Sequence, residues 1–165
     1  MINIKKNYTI SIKLLIFLIL LISCSSKEKD SATVVLNDIQ IYKTGLSSLE
    51  NENYKKAIIE FDNLSLNHPF SSLAKKSDIM TAYSLYQNNE IKKSISKLKI
   101  FIEMNPNDEF SDYAHYLLAM CYYIQVSNQG RDPSLSIKAL NSFMLVITKY
   151  PNSKYAKDSK LKIQY

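Results

Sequence analysis

Tryptophan is absent from this 165-residue chain, glycine occurs twice, proline four times, and cysteine and histidine twice each. Two glycines cannot build a phosphate-cradling loop, a dinucleotide fingerprint or a G-x-S-x-G elbow, and none of these motifs is present. So little glycine and proline also excludes a collagen-like chain and does not fit a loop-rich β-sandwich. The two histidines, His68 and His115, stand in no HExxH motif and near no cysteine cluster, so no metal site is expected. Cys121 lies in the apolar run 117–124, six residues from His115 and off that residue's helical face. It reads as a buried, inert thiol. These absences leave no catalytic residue and no cofactor to name, and the chain does not read as an enzyme.

What is present begins with a leader. Lys5, Lys6 and Lys13 form a positive region without an acid, followed by a continuous apolar run at residues 14–22. That run suits the core of a secretory signal and is too short to span a bilayer comfortably. Leu21-Ile22-Ser23-Cys24 resembles the lipobox of bacterial lipoproteins. Small Ser23 gives a peptidase access to the bond, and the thiol of Cys24 is the group a diacylglyceryl transfer needs. Residues 1–23 are therefore expected to leave as a signal peptide, with cleavage after Ser23 and two or three acyl chains on Cys24, enough for a stable anchor. Ser25, in place of an aspartate, favours sorting to the outer membrane by analogy. Residues 24–35 are short, polar and charged, and read as a flexible tether. The formal net charge is +6. Loss of the three leader lysines lowers it to about +3, too mild and dispersed to argue for nucleic acid.

Residues 36–165 are organised around the stretch 51–70. Tyr54, Ala57, Ile58 and Phe61 follow the i, i+3, i+4, i+7 spacing of an amphipathic helix, and Pro69 marks its end. The same pattern returns. Gly45, Ala82 and Ala119 are 37 residues apart in succession, as are Ala57 and Ser94, Phe61 and Leu98, and Pro69 and Pro106. The next step is 45 residues in each case: Ser94 to Ala139, Leu98 to Phe143 and Pro106 to Pro151. One eight-residue insertion between Ala119 and Ala139 accounts for all three. Helix pairs with a small residue in each helix and a closing proline are the tetratricopeptide pattern. The chain is therefore expected to be all-α, an α-solenoid of about three and a half tetratricopeptide-like helix pairs. The expected helices are 36–50 with 54–67, 72–87 with 91–104, and 110–126 with 135–150, then a fourth first helix from near Lys154. Pro133 suits the entrance of the helix it precedes.

Lipobox, tether and repeats together resemble the BamD family of outer-membrane assembly lipoproteins. Asn67-His68-Pro69-Phe70 resembles the family's close of repeat one, and Phe101-Ile102-Glu103-Met104-Asn105-Pro106 its close of repeat two. Arg131-Asp132-Pro133 matches its opening of the second helix of repeat three, and the run from Tyr150-Pro151-Asn152-Ser153 to Asp158 resembles its next turn. The resemblance runs from Cys24 to the last residue and stops short of the family's fourth and fifth repeats, which carry part of the docking to the barrel subunit BamA. His68 stands where the family usually has tyrosine.

The resemblance implies a lipid-anchored binding protein on the periplasmic face of the outer membrane. Its partners would be unfolded β-barrel precursors, a BamA-like subunit and other assembly lipoproteins, and not nucleic acid. It also implies a groove, for which Tyr42, His68, Phe70, Tyr83 and Tyr86 are candidates. The alternative for the tyrosines is inter-helix core. Arg131 and Asp132 are candidates for contact with a partner domain, although the Asp132 carboxylate is equally suited to capping the next helix. A second function shares this fold and anchor: a general periplasmic scaffold that organises cell-wall enzymes.

Overall fold

A computed structural model of the chain describes the backbone of residues 29–128 and 133–164, and the side chains of 37–126 and 133–164. Ser23, Cys24, Arg131 and Asp132 lie outside the described side chains. Every described element is a helix: α1 Lys29–Glu50, α2 Tyr54–Asn67, α3 Ala74–Gln87, α4 Ile91–Met104, α5 Ser111–Asn128, α6 Pro133–Lys149 and α7 Lys154–Lys162. None of them is long and apolar enough to cross a membrane. Residues 37–165 form one compact unit. Helix α1 starts at Lys29, seven residues before the expected Leu36, so residues 29–35 of the expected tether are helical. Once the packed turns of a helix exist, adding a residue is cheap, and 29–35 contain neither glycine nor proline to stop it.

The repeat seen in the sequence recurs bond for bond. After α1 and α3 the chain turns on a left-handed residue, Glu52 with φ 55° and Asn89 with φ 60°. These two are 37 residues apart. Asn53 N–H donates to Ser48 O and Glu90 N–H to Leu85 O, both at 2.8 Å. This is the six-to-one bond that closes a helix C-terminus in a Schellman turn. After each second helix His68, Asn105 and Tyr150 donate N–H to Leu64, Phe101 and Val146. Each of the three then accepts from the residue three further on: Ser71, Asp108 and Ser153. Local caps complete the starts. Asn53 Oδ1 accepts from Lys56 N–H at 3.2 Å, Ser153 Oγ from Tyr155 N–H at 3.2 Å, and Pro133 opens α6, where its missing N–H costs nothing.

Helices pack in chain order, α2 on α3, α3 on α4, α4 on α5, α5 on α6 and α6 on α7. Small residues mark the closest crossings. Ala57, Ala82, Ser94 and Ala119 are fully buried. Ser94 Oγ donates to Ala82 O at 2.7 Å, joining α4 to α3 without leaving the hydroxyl unpaired. Phe61, Leu98 and Phe143 fill the same core position of successive pairs, none more than 1 % exposed. Two further rows of small residues repeat in phase: Ala74, Ser111 and Ala156, and Ser77, Ala114 and Ser159. Successive first helices touch, α3 on α5 and α5 on α7, while the second helices α2, α4 and α6 make no comparable contact with each other among the described residues. The stack therefore closes on the first-helix side.

Polar ties cross between pairs. Lys97 of α4 reaches Asp62 of α2 at 2.7 Å and Asp78 of α3 at 3.1 Å. Ser65 Oγ donates to the same Asp78 carboxylate at 2.8 Å. Burial alone would pull the Lys97 ammonium down, but its hydrogen bonds and charge contacts with the two aspartates outweigh that and hold it above the usual lysine value. Lys75 of α3 reaches Asp108, ahead of α5, at 2.9 Å.

Candidate functional site: a tyrosine face on the first helices

The residues proposed from the sequence fall into two separate places. His68 and Phe70 stand at the turn that ends α2. The Phe70 side chain is wholly exposed, at 101 %. His68 is half-buried, with Nδ1 2.9 Å from Asp38 Oδ1 of α1. That oxygen is buried and makes no aligned hydrogen bond. Tyr83 and Tyr86 lie near the other end of α3, with Tyr86 twelve residues, or about 18 Å, along the helix from Ala74. Tyr42 belongs with neither group. It is 7 % exposed, its ring centroid lies 5.4 Å from that of Phe61, and the Lys76 ammonium lies 5.3 Å above it. Its ring is part of the inter-helix core, the alternative the sequence left open.

Tyr83 and Tyr86 are half-buried, and they begin a larger surface. Tyr113 and Tyr116 of α5 and Tyr155 of α7 continue it along the first helices. Tyr155 stacks at 5.1 Å on Tyr116 and packs at 5.0 Å on Tyr113. Tyr116 also packs at 6.3 Å on Phe143. The spacing Tyr83-Tyr86 and Tyr113-Tyr116 is i, i+3, which puts each pair on one helix face. This signal was present in the sequence. Tyr155 and Asp158 join only because α7 folds back onto α5.

The phenols are held neutral. Burial, then the neighbouring Tyr83, Tyr155, Tyr116 and Cys121, push Tyr113 well above the usual tyrosine value. Burial pushes Tyr116 up in the same way, and its donated hydrogen bond to Asp158 Oδ2 at 2.6 Å adds to the shift. Tyr86 is raised by burial first and then by Cys121 and Tyr83. Lysines border the rings: Lys154 lies 5.0 Å from the Tyr155 centroid and Lys162 5.7 Å from that of Tyr123. The face thus offers flat apolar rings, hydroxyl donors and flanking ammonium groups, the chemistry of a binding surface. Cys121 beneath it is fully buried, donates to Ser94 Oγ at 3.4 Å, and is pushed by burial up to about 11. No thiolate forms there at neutral pH.

At the N-terminal ends of α5 and α7, the Tyr150-Pro151-Asn152-Ser153 turn lines a cleft of about 390 Å³ together with Asp108, Glu109 and Asp112. Ser153 Oγ donates to Asp112 Oδ2 at 2.6 Å and ties this turn to α5.

Stacked helix pairs with a ring-lined first-helix side define a tetratricopeptide-type helical-repeat protein. The comparisons narrow the class. The family model YfiO, described as outer membrane lipoprotein, matches residues 36–165. The chain belongs to this family of outer membrane lipoproteins. It is 37% identical over 150 residues to the outer membrane protein assembly factor BamD of Rickettsia prowazekii, covering 91% of this chain and 59% of that protein. It is 33% identical over 143 residues to BamD of Caulobacter vibrioides, covering 85% of this chain and 47% of that protein. With BamD of Neisseria gonorrhoeae it shares 27% identity over 130 residues, covering 73% of this chain and 49% of that protein. The chain thus spans between about half and three fifths of the length of these relatives.

Proposed function

We propose that this chain is a lipid-anchored periplasmic binding subunit of the machinery that assembles β-barrel proteins into the outer membrane, and that it acts by binding alone. The observation that carries the proposal is the tyrosine face, in a chain whose family and relatives are outer membrane lipoproteins and assembly factors. An extended, aromatic-rich precursor strand lies across α3, α5 and α7. The rings of Tyr83, Tyr86 and Tyr113 pack its side chains, and hydroxyls on the face donate to its carbonyls. Phe70 supplies a separate, fully exposed ring. Arg131 and Asp132, ahead of α6, contact a partner subunit of the BamA type or another assembly lipoprotein. Cys24, acylated after cleavage behind Ser23, holds the domain at the membrane.

Two measurements test this reading. Co-purification from membranes is expected to bring down a β-barrel protein with periplasmic domains; recovery of a peptidoglycan enzyme in its place would support the scaffold function and defeat this one. A barrel-derived peptide titrated against the chain is expected to bind at least about fivefold more weakly to Phe70→Ala and to Tyr86→Leu, the threshold of about 1 kcal/mol for a contact that matters. Phe70→Ala removes only exposed surface, so its melting is expected to be unchanged. Equal dissociation constants for all three proteins would remove both sites from the binding surface.

A further inference from the structure

We propose that His115 makes the joint between α6 and α7 acid-sensitive: protonation of its imidazole, packed against the Tyr150 ring, loosens the turn that positions Tyr155 and Asp158. The geometry is a pair of unsatisfied groups. His115 Nε2 and Tyr150 Oη are both buried without a hydrogen-bond partner among the described residues. Their rings lie 5.6 Å apart. Lys149 holds its ammonium 5.2 Å from the Tyr150 centroid and 3.5 Å from the Pro106 carbonyl oxygen, and is thereby kept close to the joint. A second positive charge arising on His115 is repelled by this one.

Three acids, Asp108, Glu109 and Asp112, line the cleft beside Tyr150, and two of them are engaged by other groups. Asp108 is engaged by Lys75, and Asp112 by Ser153 Oγ and the Tyr113 N–H. Lys149 bears on the imidazole and disfavours its charged form. Burial first, then Lys149, favour the neutral ring and hold His115 below the usual histidine value of 6.5. The folded chain therefore binds fewer protons here than the unfolded chain. Its contribution to stability is complete above about pH 6.5 and is lost as the pH falls from there through the lower folded value.

The loss falls on one place. Tyr150 N–H caps α6 by donating to Val146 O, and Ser153 N–H closes the turn onto Tyr150 O. The same turn launches α7, which carries Tyr155 and Asp158 to Tyr113 and Tyr116. Acid thus frees the last helix of the tyrosine face while the core at α3 and α4, which contains no histidine, stays closed. This inference concerns the face itself and does not depend on what binds it.

The test is urea unfolding of the chain and of His115→Phe between pH 8 and pH 5, with proton NMR titration of the His115 Cε1–H. His68 is present in both proteins and its contribution cancels in the comparison. The midpoint of the unmodified chain is expected to drop more than that of His115→Phe below pH 6.5. Amide exchange, corrected for its intrinsic pH dependence, is expected to accelerate in residues 150–162 ahead of residues 74–87. Parallel loss of midpoint in the two proteins, or a His115 resonance titrating at or above 6.5, would overturn the proposal. Should His115→Phe fail to fold, the titration of the unmodified chain decides alone.

Discussion

Replacing Gly45 with alanine tests the packing of the first repeat at a single atom. A Cβ built on Gly45 lies 2.6, 2.7 and 2.9 Å from three carbons of the Phe61 ring. Carbon atoms rest about 3.5–4.0 Å apart, so the ring must retreat by about 1 Å. It has little room to do so. Phe61 is fully buried, Tyr42 packs on it at 5.4 Å, and Ala57 and Leu64 are fully buried beside it. Overpacking of this kind costs about 1–3 kcal/mol. Against it stands the gain from replacing a mid-helix glycine by alanine, about 1 kcal/mol. The expected net effect of Gly45→Ala is a destabilisation of up to about 2 kcal/mol, with no net stabilisation, read as an unchanged or lower urea midpoint by circular dichroism at unchanged slope. A second variant isolates the cause. Phe61→Leu removes the clashing ring edge, so Gly45→Ala is expected to cost less in that background than alone, a coupling visible in a double-mutant cycle. If Gly45→Ala stabilises the chain by the full alanine increment, α1 and α2 are not in the contact described.

Four further outcomes are expected. Ala57→Leu and Ala119→Leu each lower stability by about 1–3 kcal/mol, because both positions are fully buried at helix crossings; unchanged melting of both would refute the repeat phase. Lys97→Met lowers stability by about 1–2 kcal/mol at pH 7, since it leaves Asp62 and Asp78 without their common cation. Because Lys97 is raised when folded, its contribution is complete below the unfolded lysine value of about 10.4 and fades above it, so the deficit of Lys97→Met is expected to shrink in an alkaline unfolding series. Cys121, in a Cys24→Ser background, reacts with a disulfide reagent only at the rate of unfolding, and rapid stoichiometric labelling of the native chain would contradict its burial. Cys24→Ala leaves an unprocessed or mislocalised precursor; maturation at the same bond with retention in outer membranes would remove the lipobox.

Much of the fold was legible in the chain because a solenoid writes its contacts locally. Each helix packs on its sequence neighbour, so a period of 37 residues in small and large apolar positions already names the crossings, and Ala57, Ser94, Phe61 and Leu98 fell where they were expected. The turns were equally readable. Asn51-Glu52-Asn53 and Asn88-Asn89-Glu90 occupy equivalent places, and both supply the left-handed residue that ends a first helix. The candidate site was less legible, since a tyrosine at helical spacing looks the same whether its ring faces the core or a groove. Tyr42 turned to the core because Phe61, opposite Gly45, needs a neighbour there. Tyr83 and Tyr86 stayed half-exposed because α5 meets α3 with tyrosines of its own.

The chain by itself determined the helices, their pairing and their closing turns, since each depends on residues within one repeat: a stripe of apolar side chains, a cap, a proline. Only the tertiary structure decided which side the first helices share. Contacts between α3, α5 and α7 join residues about 30 to 45 positions apart, and no local pattern specifies them. Through those contacts Tyr155 stacks on Tyr116, and Asp158 receives the Tyr116 hydroxyl. The packing of α6 on α5 likewise leaves His115 Nε2 and Tyr150 Oη near one another, neither with a hydrogen-bond partner among the described residues. Neighbouring residues along the chain set where a helix begins and ends, but what surrounds a side chain is set by what the stack brings against it.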